Sequence, residues 1–185
     1  AWKNYEQIGD PDRIGFMQYR RHFVFNERDF ADFHSDSIDE LAYAKVNVGR
    51  VYDGYEERFG LTTEGIDAAL DGYDVVLPLS CDLSHYVRSI ADDYMDRIEG
   101  THPKDLRLLK RAVDKVAPEY GPLLRERLRA TDKRCYQSFV LSREQFFAYC
   151  EFLFGVLAEV DAHLDTSRYS LNGQRTIGYL GEILF

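Results

Sequence analysis

The chain contains no run of about 18 apolar residues, so no segment reads as a membrane-spanning helix, and its start does not read as a secretory signal peptide. Cysteine is scarce. Cys81, Cys135 and Cys150 are odd in number and show no C-x-x-C or Cys/His ligand spacing, which argues against a disulfide framework or a zinc knuckle. Reduced, buried thiols of a cytosolic protein are the expectation. There is no excess of positive charge: 23 Lys and Arg stand against 32 Asp and Glu, a net charge of −9. A nucleic-acid surface needs the opposite sign, so nucleic acid is disfavoured as a partner. No P-loop or activated-nucleophile motif points to a kinase or phosphatase. No repeat, low-complexity tract or linker divides the 185 residues, which are read as one domain, 1–185.

What the chain does have is apolar and aromatic residues, 45% and 14% of the total, enough for a substantial core. One stretch organises the rest. Ile14-Gly15-Phe16-Met17-Gln18-Tyr19-Arg20-Arg21-His22-Phe23 begins as a buried strand and ends in two arginines and a histidine among aromatics. An inner strand of a parallel sheet is apolar through its middle, and the ligand crevice of an open α/β fold lies beyond the strands' carboxyl ends. Arg20 and Arg21 fall on that side. Side by side in a strand they point to opposite faces, one into a pocket and one bracing it, and a guanidinium fork fits phosphate or carboxylate. The plainer alternative is that both pair with acids elsewhere in the chain.

In chain order, residues 1–5 read as the last turn of a helix whose start is absent, as in a fragment or a trimmed sequence. Asp10-Pro11-Asp12 resembles a metal-binding carboxylate pair but precedes its strand, and a helix-to-strand turn is the better reading. A strand is expected over Ile14–Gln18, then a lid-like acidic loop over Asn26–Asp39. Helices are expected from about Val51 to Gly60, and then a short one opened by Thr62-Thr63-Glu64 and closed by Asp71-Gly72. Asp74-Val75-Val76-Leu77-Pro78-Leu79 is the clearest strand, with Asp82 and His85 beyond its carboxyl end. Helices follow over Leu83–Ile98, around Leu106–Val116 and to Ala130, then a strand over Cys135–Leu141. Ser142-Arg143-Glu144-Gln145 is a capping box opening a long amphipathic helix with Phe146, Phe147, Cys150, Leu153, Phe154, Leu157, Val160 and Leu164 on one stripe. A last helix runs over Gln174–Phe185.

In order and spacing, several of these stretches resemble the bacterial family known as domain of unknown function 4422, glycosyltransferase-like domains of capsule, exopolysaccharide and O-antigen clusters. The matching pieces are Ala1-Trp2-Lys3-Asn4, Ile14 to Phe23, Asp74–Pro78, Phe147-Ala148-Tyr149-Cys150-Glu151-Phe152-Leu153-Phe154, and Arg175-Thr176-Ile177-Gly178-Tyr179-Leu180-Gly181-Glu182. Gln18 stands where the family pattern has His, His22 where it has Tyr, and Tyr136-Gln137-Ser138-Phe139 where it has Asn-Met-Phe. The family's first strand and helix lie before Ala1.

The resemblance implies an α/β, GT-A-like nucleotide-sugar transferase fold in partial form, with a short, mostly parallel sheet and a helix-rich C-terminal half. It implies a hexosyltransferase-type enzyme, incomplete as a fragment, that moves a sugar from a nucleotide-sugar donor to a saccharide or lipid-linked saccharide acceptor. The expected location is the cytoplasm, with peripheral association at the inner face of the membrane left open. Charge on the leaving diphosphate must be neutralised, and an acceptor hydroxyl must lose a proton. For the first task the candidates are Arg20 and Arg21, supported by Tyr19, His22 and Arg175. For the second they are Asp82, His85 and Glu182. His85 also reads as a solvated first-turn residue, and Glu182 as a partner of Arg175. No metal ligands are assigned; a divalent cation, manganese or magnesium, is left open, with the arginines able to replace its charge. Tyr19, Phe23, Phe25, Phe30 and Phe33 suit stacking on sugar or base, or ordinary packing. The competing class is a non-catalytic carbohydrate- or nucleotide-binding or scaffold module of a larger polysaccharide-biosynthesis protein.

Overall fold

The computed structural model describes residues 2–18, 21–26, 48–97, 99–134 and 137–185. Tyr19, Arg20, the expected lid from residue 27 onward with Phe30 and Phe33, and Cys135 and Tyr136 lie outside the described residues.

The chain opens with two 3₁₀ turns, Trp2–Asn4 and Glu6–Ile8, stopped by Gly9 in the left-handed region at φ 93°. Asp10 follows with φ 51°. Its carboxylate accepts from the Arg143 guanidinium at 2.8 Å, and the Asp12 carbonyl accepts from the Arg143 backbone N–H at 2.8 Å. The Asp-x-Asp triplet is thus a turn into the first strand, pinned by an ion pair.

That strand, β1, is Arg13–Phe16, shorter than the expected Ile14–Gln18 and largely exposed. Two short helices come next, α1 (Tyr55–Phe59) and α2 (Thr63–Leu70). Gly60 closes α1 in the left-handed conformation, and the Thr62 hydroxyl caps α2 by accepting from Gly65 N–H at 3.1 Å. The Asp74–Leu79 strand reduces to β2, Val75–Val76. A ribbon then pairs β3 (Cys81–Asp82) with β4 (Asp132–Lys133), an element with too few residues to show periodicity. Between them lie α3 (Ile90–Arg97), α4 (Pro103–Val116), a 3₁₀ turn at Pro118–Tyr120 and α5 (Gly121–Arg127). The helix expected from Leu83 starts only at Ile90, because residues 83–86 form a turn in which Tyr86 N–H bonds Leu83 carbonyl at 2.8 Å. The chain ends with β5 (Phe139–Ser142), α6 (Arg143–Asp161), a 3₁₀ turn at Gly173–Arg175 and α7 (Thr176–Leu184).

The sheet order is β1-β5-β2 and both pairings are antiparallel, contrary to the expected mostly parallel sheet. The inner strand is β5, whose Phe139, Val140 and Leu141 are buried on both faces. An apolar run marks a buried strand but carries no information on its neighbours' direction. Because β1 and β2 both run against β5, they are parallel to each other and their carboxyl ends lie at the same end of the sheet.

Ser142 caps α6 through its hydroxyl, which accepts from Gln145 N–H at 3.3 Å. The reciprocal half of the expected capping box is absent: the Ser142 N–H donates to Asp74 carbonyl at 2.8 Å, extending the sheet instead. Of the predicted α6 stripe, Phe146, Cys150 and Val160 are buried, whereas Phe154 is half-exposed and stacked on Trp2 at 5.5 Å.

Two apolar clusters hold the elements together. One joins α3, α4, α5, α6 and α7 around Leu109, Val113, Val156, Val160 and Leu180, all fully buried, with Ile90 from α3 and Leu124 from α5. Each such side chain contributes about 1.5–3 kcal/mol. The other packs Tyr5, Phe139, Leu141, Phe146 and Cys150 between the sheet and α6. Cys81 and Cys150 are buried, and burial pushes the Cys150 thiol up to about 11, so it stays protonated at neutral pH.

Candidate functional site

Three segments converge at the end of the sheet where β1 and β2 finish. Phe16 faces Phe139 and Val76 faces Val140, so the chain leaves β1 at Met17, leaves β2 at Leu77 and enters β5 from Ser138 on one side of the sheet. The segments that carry Arg21 and Asp82 thus both follow strand ends on that side, despite the antiparallel ladder.

After β1, the chain turns at once. The Arg21 N–H bonds Gln18 carbonyl at 2.9 Å, and the Arg21 guanidinium donates to Gln18 Oε1 at 3.1 Å. Arg21 thus sits on a turn, not in a strand, and the opposite-faces argument for two adjacent strand arginines does not apply to it. His22 is held on both sides. Its Nδ1 lies 2.6 Å from Phe23 carbonyl and its Nε2 2.6 Å from Tyr55 Oη. A carbonyl only accepts, so Nδ1 carries the proton and Nε2 accepts from the Tyr55 hydroxyl. Both ring nitrogens are thus engaged, and His22 braces the turn against α1, edge-on to Tyr55 and Phe59. Burial, and then Tyr52, raise the Tyr55 phenol above its usual range.

The segment is clasped at Gly60. Phe25 N–H bonds Phe59 carbonyl at 2.9 Å, and the Asn26 amide donates to Arg58 carbonyl at 2.5 Å. A Cβ on Gly60, whose φ is 68°, would meet Asn26 N and Phe25 C at 3.0 Å. Gly60→Ala is expected to cost about 2 kcal/mol from left-handed strain and this backbone contact, measured as a lower urea midpoint with an unchanged m-value. Beside the clasp, the Tyr52 hydroxyl and Asn26 Oδ1 are buried without a hydrogen-bond partner among the described residues. Such orphans are open to a ligand.

The second part of the site is the β3–β4 ribbon. Asp82 is exposed and its two carboxylate oxygens accept from the Ser84 N–H at 2.8 Å and the Ser84 hydroxyl at 3.0 Å. These two bonds, with a smaller contribution from neighbouring His85, hold its carboxyl below the usual carboxylate range. A carboxylate stabilised in this way is a poor proton acceptor. Asp82 caps the turn that delays α3, and His85 lies exposed on that turn.

Opposite Asp82 on the ribbon is Asp132, which accepts from Ser80 Oγ at 3.0 Å and whose carbonyl accepts from Arg127 at 2.5 Å. Its neighbour Lys133 lies between two acids from different helices, 3.3 Å from Asp93 of α3 and 3.6 Å from Glu182 of α7. Asp93 is buried, whereas the Glu182 side chain is 38% exposed, so the pair leaves one carboxylate facing solvent.

Glu182 therefore pairs with Lys133 and not with Arg175. Arg175 stands one residue before α7, roughly 10 Å along the helix from Glu182, with its guanidinium over the Tyr179 ring at 5.5 Å. The geometry joins Glu182 to the ribbon that carries Asp82 and His85, and brings Arg21 and His22 to the same end of the sheet; no contact draws Arg175 into that group. Lys133, Asp93 and Tyr52 are additions that sequence reasoning missed. The adjacent cations Lys133-Arg134 were a visible signal, of the same kind as Arg20-Arg21. No group of three His, Cys, Asp or Glu with metal-ligand geometry occurs among the described residues, and no helix among them is long and apolar enough to cross a membrane.

Comparison with known proteins gives the arrangement a context. A solved structure titled as the apo form of WbbM, a bifunctional glycosyltransferase, is similar over 100% of this chain, with a TM-score of 0.85 and 31% sequence identity. This chain spans 30% of that protein. No curated protein matches the chain. A family described as a domain of unknown function (DUF4422) matches residues 1–185. The chain is an α/β domain that belongs to this family, and its fold closely matches part of a glycosyltransferase.

Proposed function

We propose that the domain transfers a sugar from a nucleotide-sugar donor to a hydroxyl of a saccharide or lipid-linked saccharide acceptor, in assembly of a cell-surface polysaccharide such as capsule, exopolysaccharide or O-antigen. The observation that carries this reading is the close match of the whole chain to part of a glycosyltransferase, supported by a cationic turn at Arg21 and a partly exposed carboxylate at Glu182. In the reaction the bond between the anomeric carbon and the diphosphate oxygen breaks, and a bond from the acceptor oxygen to that carbon forms. Negative charge grows on the departing diphosphate. Arg21, with Arg20 beside it in sequence, would neutralise it by charge-assisted hydrogen bonds. The acceptor's proton would go to Glu182, because the Asp82 carboxyl is held down by its bonds to Ser84. A divalent cation, manganese or magnesium, is compatible with the reading and has no assigned ligands. The reading puts the domain in the cytoplasm, with the GT-A class, the hexose specificity and any contact with the membrane's inner face as parts of the same proposal.

A non-catalytic binding module is the second reading, favoured by the engagement of Asp82 and His22 in purely structural bonds. The two separate by experiment. Calorimetric titration with UDP-, GDP- and CDP-sugars, with and without manganese, is expected to find one donor that binds. Arg21→Ala is expected to weaken it about 10- to 100-fold, the loss of one charge-assisted donor. Glu182→Gln is expected to keep donor binding and abolish transfer, which the binding-module reading does not require. No binding of any nucleotide sugar would overturn the transferase assignment.

A further inference from the structure

A groove of about 440 Å³ runs between α5, α6 and the last turn of α7 and ends at β4, within the ~300–1,000 Å³ range of small-ligand sites. Its walls are of two kinds. Tyr120, Phe152 and Phe185 supply aromatic surface, with Tyr120 and Phe152 packed at 4.8 Å between centroids. Glu126, Arg127 and Asp132 supply charge along the rim. Leu123 at the edge is 58% exposed.

This combination selects a chemistry. A wholly apolar occupant would desolvate the carboxylates of Glu126 and Asp132 without returning hydrogen bonds. An anion would meet those same two carboxylates, and Arg127 already donates to the Asp132 carbonyl at 2.5 Å. A neutral polyol ring satisfies both surfaces: its C–H face lies on aromatic rings, and its hydroxyls donate to carboxylates. We infer that the groove binds a neutral saccharide and is the acceptor subsite of the transferase proposed above, a role that rests on that reading. Its position fits. Asp132 lines the groove and stands across the ribbon from Asp82, and Ile183 of the groove wall directly follows Glu182 on α7. A saccharide bound along the aromatic rings leads past Asp132 toward Glu182.

The test uses the whole chain with lactose, maltose and mannobiose at millimolar concentration, read by saturation-transfer NMR and by amide-shift mapping. The expected result is transfer to sugar-ring protons and shifts confined to the groove, weakened at least about tenfold by Tyr120→Ala or by Glu126→Gln, an exposed residue whose change leaves the fold intact. Nucleotide-sugar binding is expected to be unchanged in both variants. Absence of transfer from every saccharide, or shifts mapping elsewhere, overturns the inference. So does binding of octyl glucoside through its alkyl chain alone, which would make the groove an apolar docking surface. If saccharides bind and nucleotide sugars do not, the saccharide site stands and the transferase reading falls. If nucleotide sugars bind and saccharides do not, the groove assignment alone falls.

Discussion

Asp105→Ala is expected to lower stability by about 4 kcal/mol, and Tm by about 10 °C in a chain of this size. Asp105 is fully buried at the start of α4. Its carboxyl accepts from the Tyr94 hydroxyl at 2.9 Å, the Tyr169 hydroxyl at 2.6 Å and the His102 backbone N–H at 2.9 Å. Alanine would leave three donors at that site without their acceptor and add a cavity, and the loss of an unmade buried bond exceeds the net worth of a made one. Asp105→Asn keeps one acceptor oxygen and should cost about half as much. Burial, first, and then the Asp105 contacts push both phenols well above the usual tyrosine range. The folded state thus favours the protonated phenols. Their contribution is fully present below about pH 10, the unfolded value, and is lost as pH rises past it, so alkaline unfolding should begin there. Thermal and pH melts of the two variants decide the matter; an alanine variant within about 3 °C of wild type would show that water replaces the carboxyl.

The knot has a functional reach. Tyr169 begins the turn that leads to Arg175 and α7, and the same turn is packed against Gly100, where a Cβ on Gly173 would fall 2.4 Å from the Gly100 carbonyl oxygen. The position of Glu182 depends on this joint.

Lys133→Met is expected to cost about 3 kcal/mol. Which half of the Asp93–Lys133–Glu182 contact matters is decided by exposure. Asp93 is 8% exposed and loses a counter-ion in a dry setting, whereas Glu182 is 38% exposed and its pairing is screened by water. Asp93→Asn combined with Lys133→Met should therefore recover about 1–2 kcal/mol relative to the sum of the single changes, and Glu182→Gln with Lys133→Met almost nothing. Urea titrations of the two double-mutant cycles measure this directly. Equal coupling in both cycles would mean that Lys133 binds the two acids alike, and that Glu182 is a structural partner instead of a solvent-facing base.

Much of the helical half was legible because its signals are local. Thr62 and Ser142 announce their helices, Gly60 ends one, and the spacing of Leu106, Leu109 and Val113 marks the buried face of α4. The sheet was legible in its strands and not in its directions, since β5 meets partners from distant parts of the sequence. The two-residue strands of the ribbon fall below any periodic signal. For the site, adjacency pointed to Arg20-Arg21 and strand position to Asp82, but the Asp-Leu-Ser sequence from Asp82 to Ser84 carried a competing message, a turn-capping aspartate, and Asp82 makes the bonds of that turn. Lys133 and Asp93 come from separate elements and become a pair only in three dimensions.

The order of the sheet also governs when the domain can assemble. The outer strands β1 and β2 have their ladder partner in β5, far along the sequence from both, so each must wait until β5 has been made before it can pair. Closing such long loops is slow, whereas α4 and α5 join through neighbouring residues and can form early. During synthesis α4 and α5 would form first, β5 would then complete the sheet, and α6 and α7 would follow to close the helical core. A ribosome-stalled chain that stops before Phe139 should accordingly hold α4 and α5 without the three-stranded sheet.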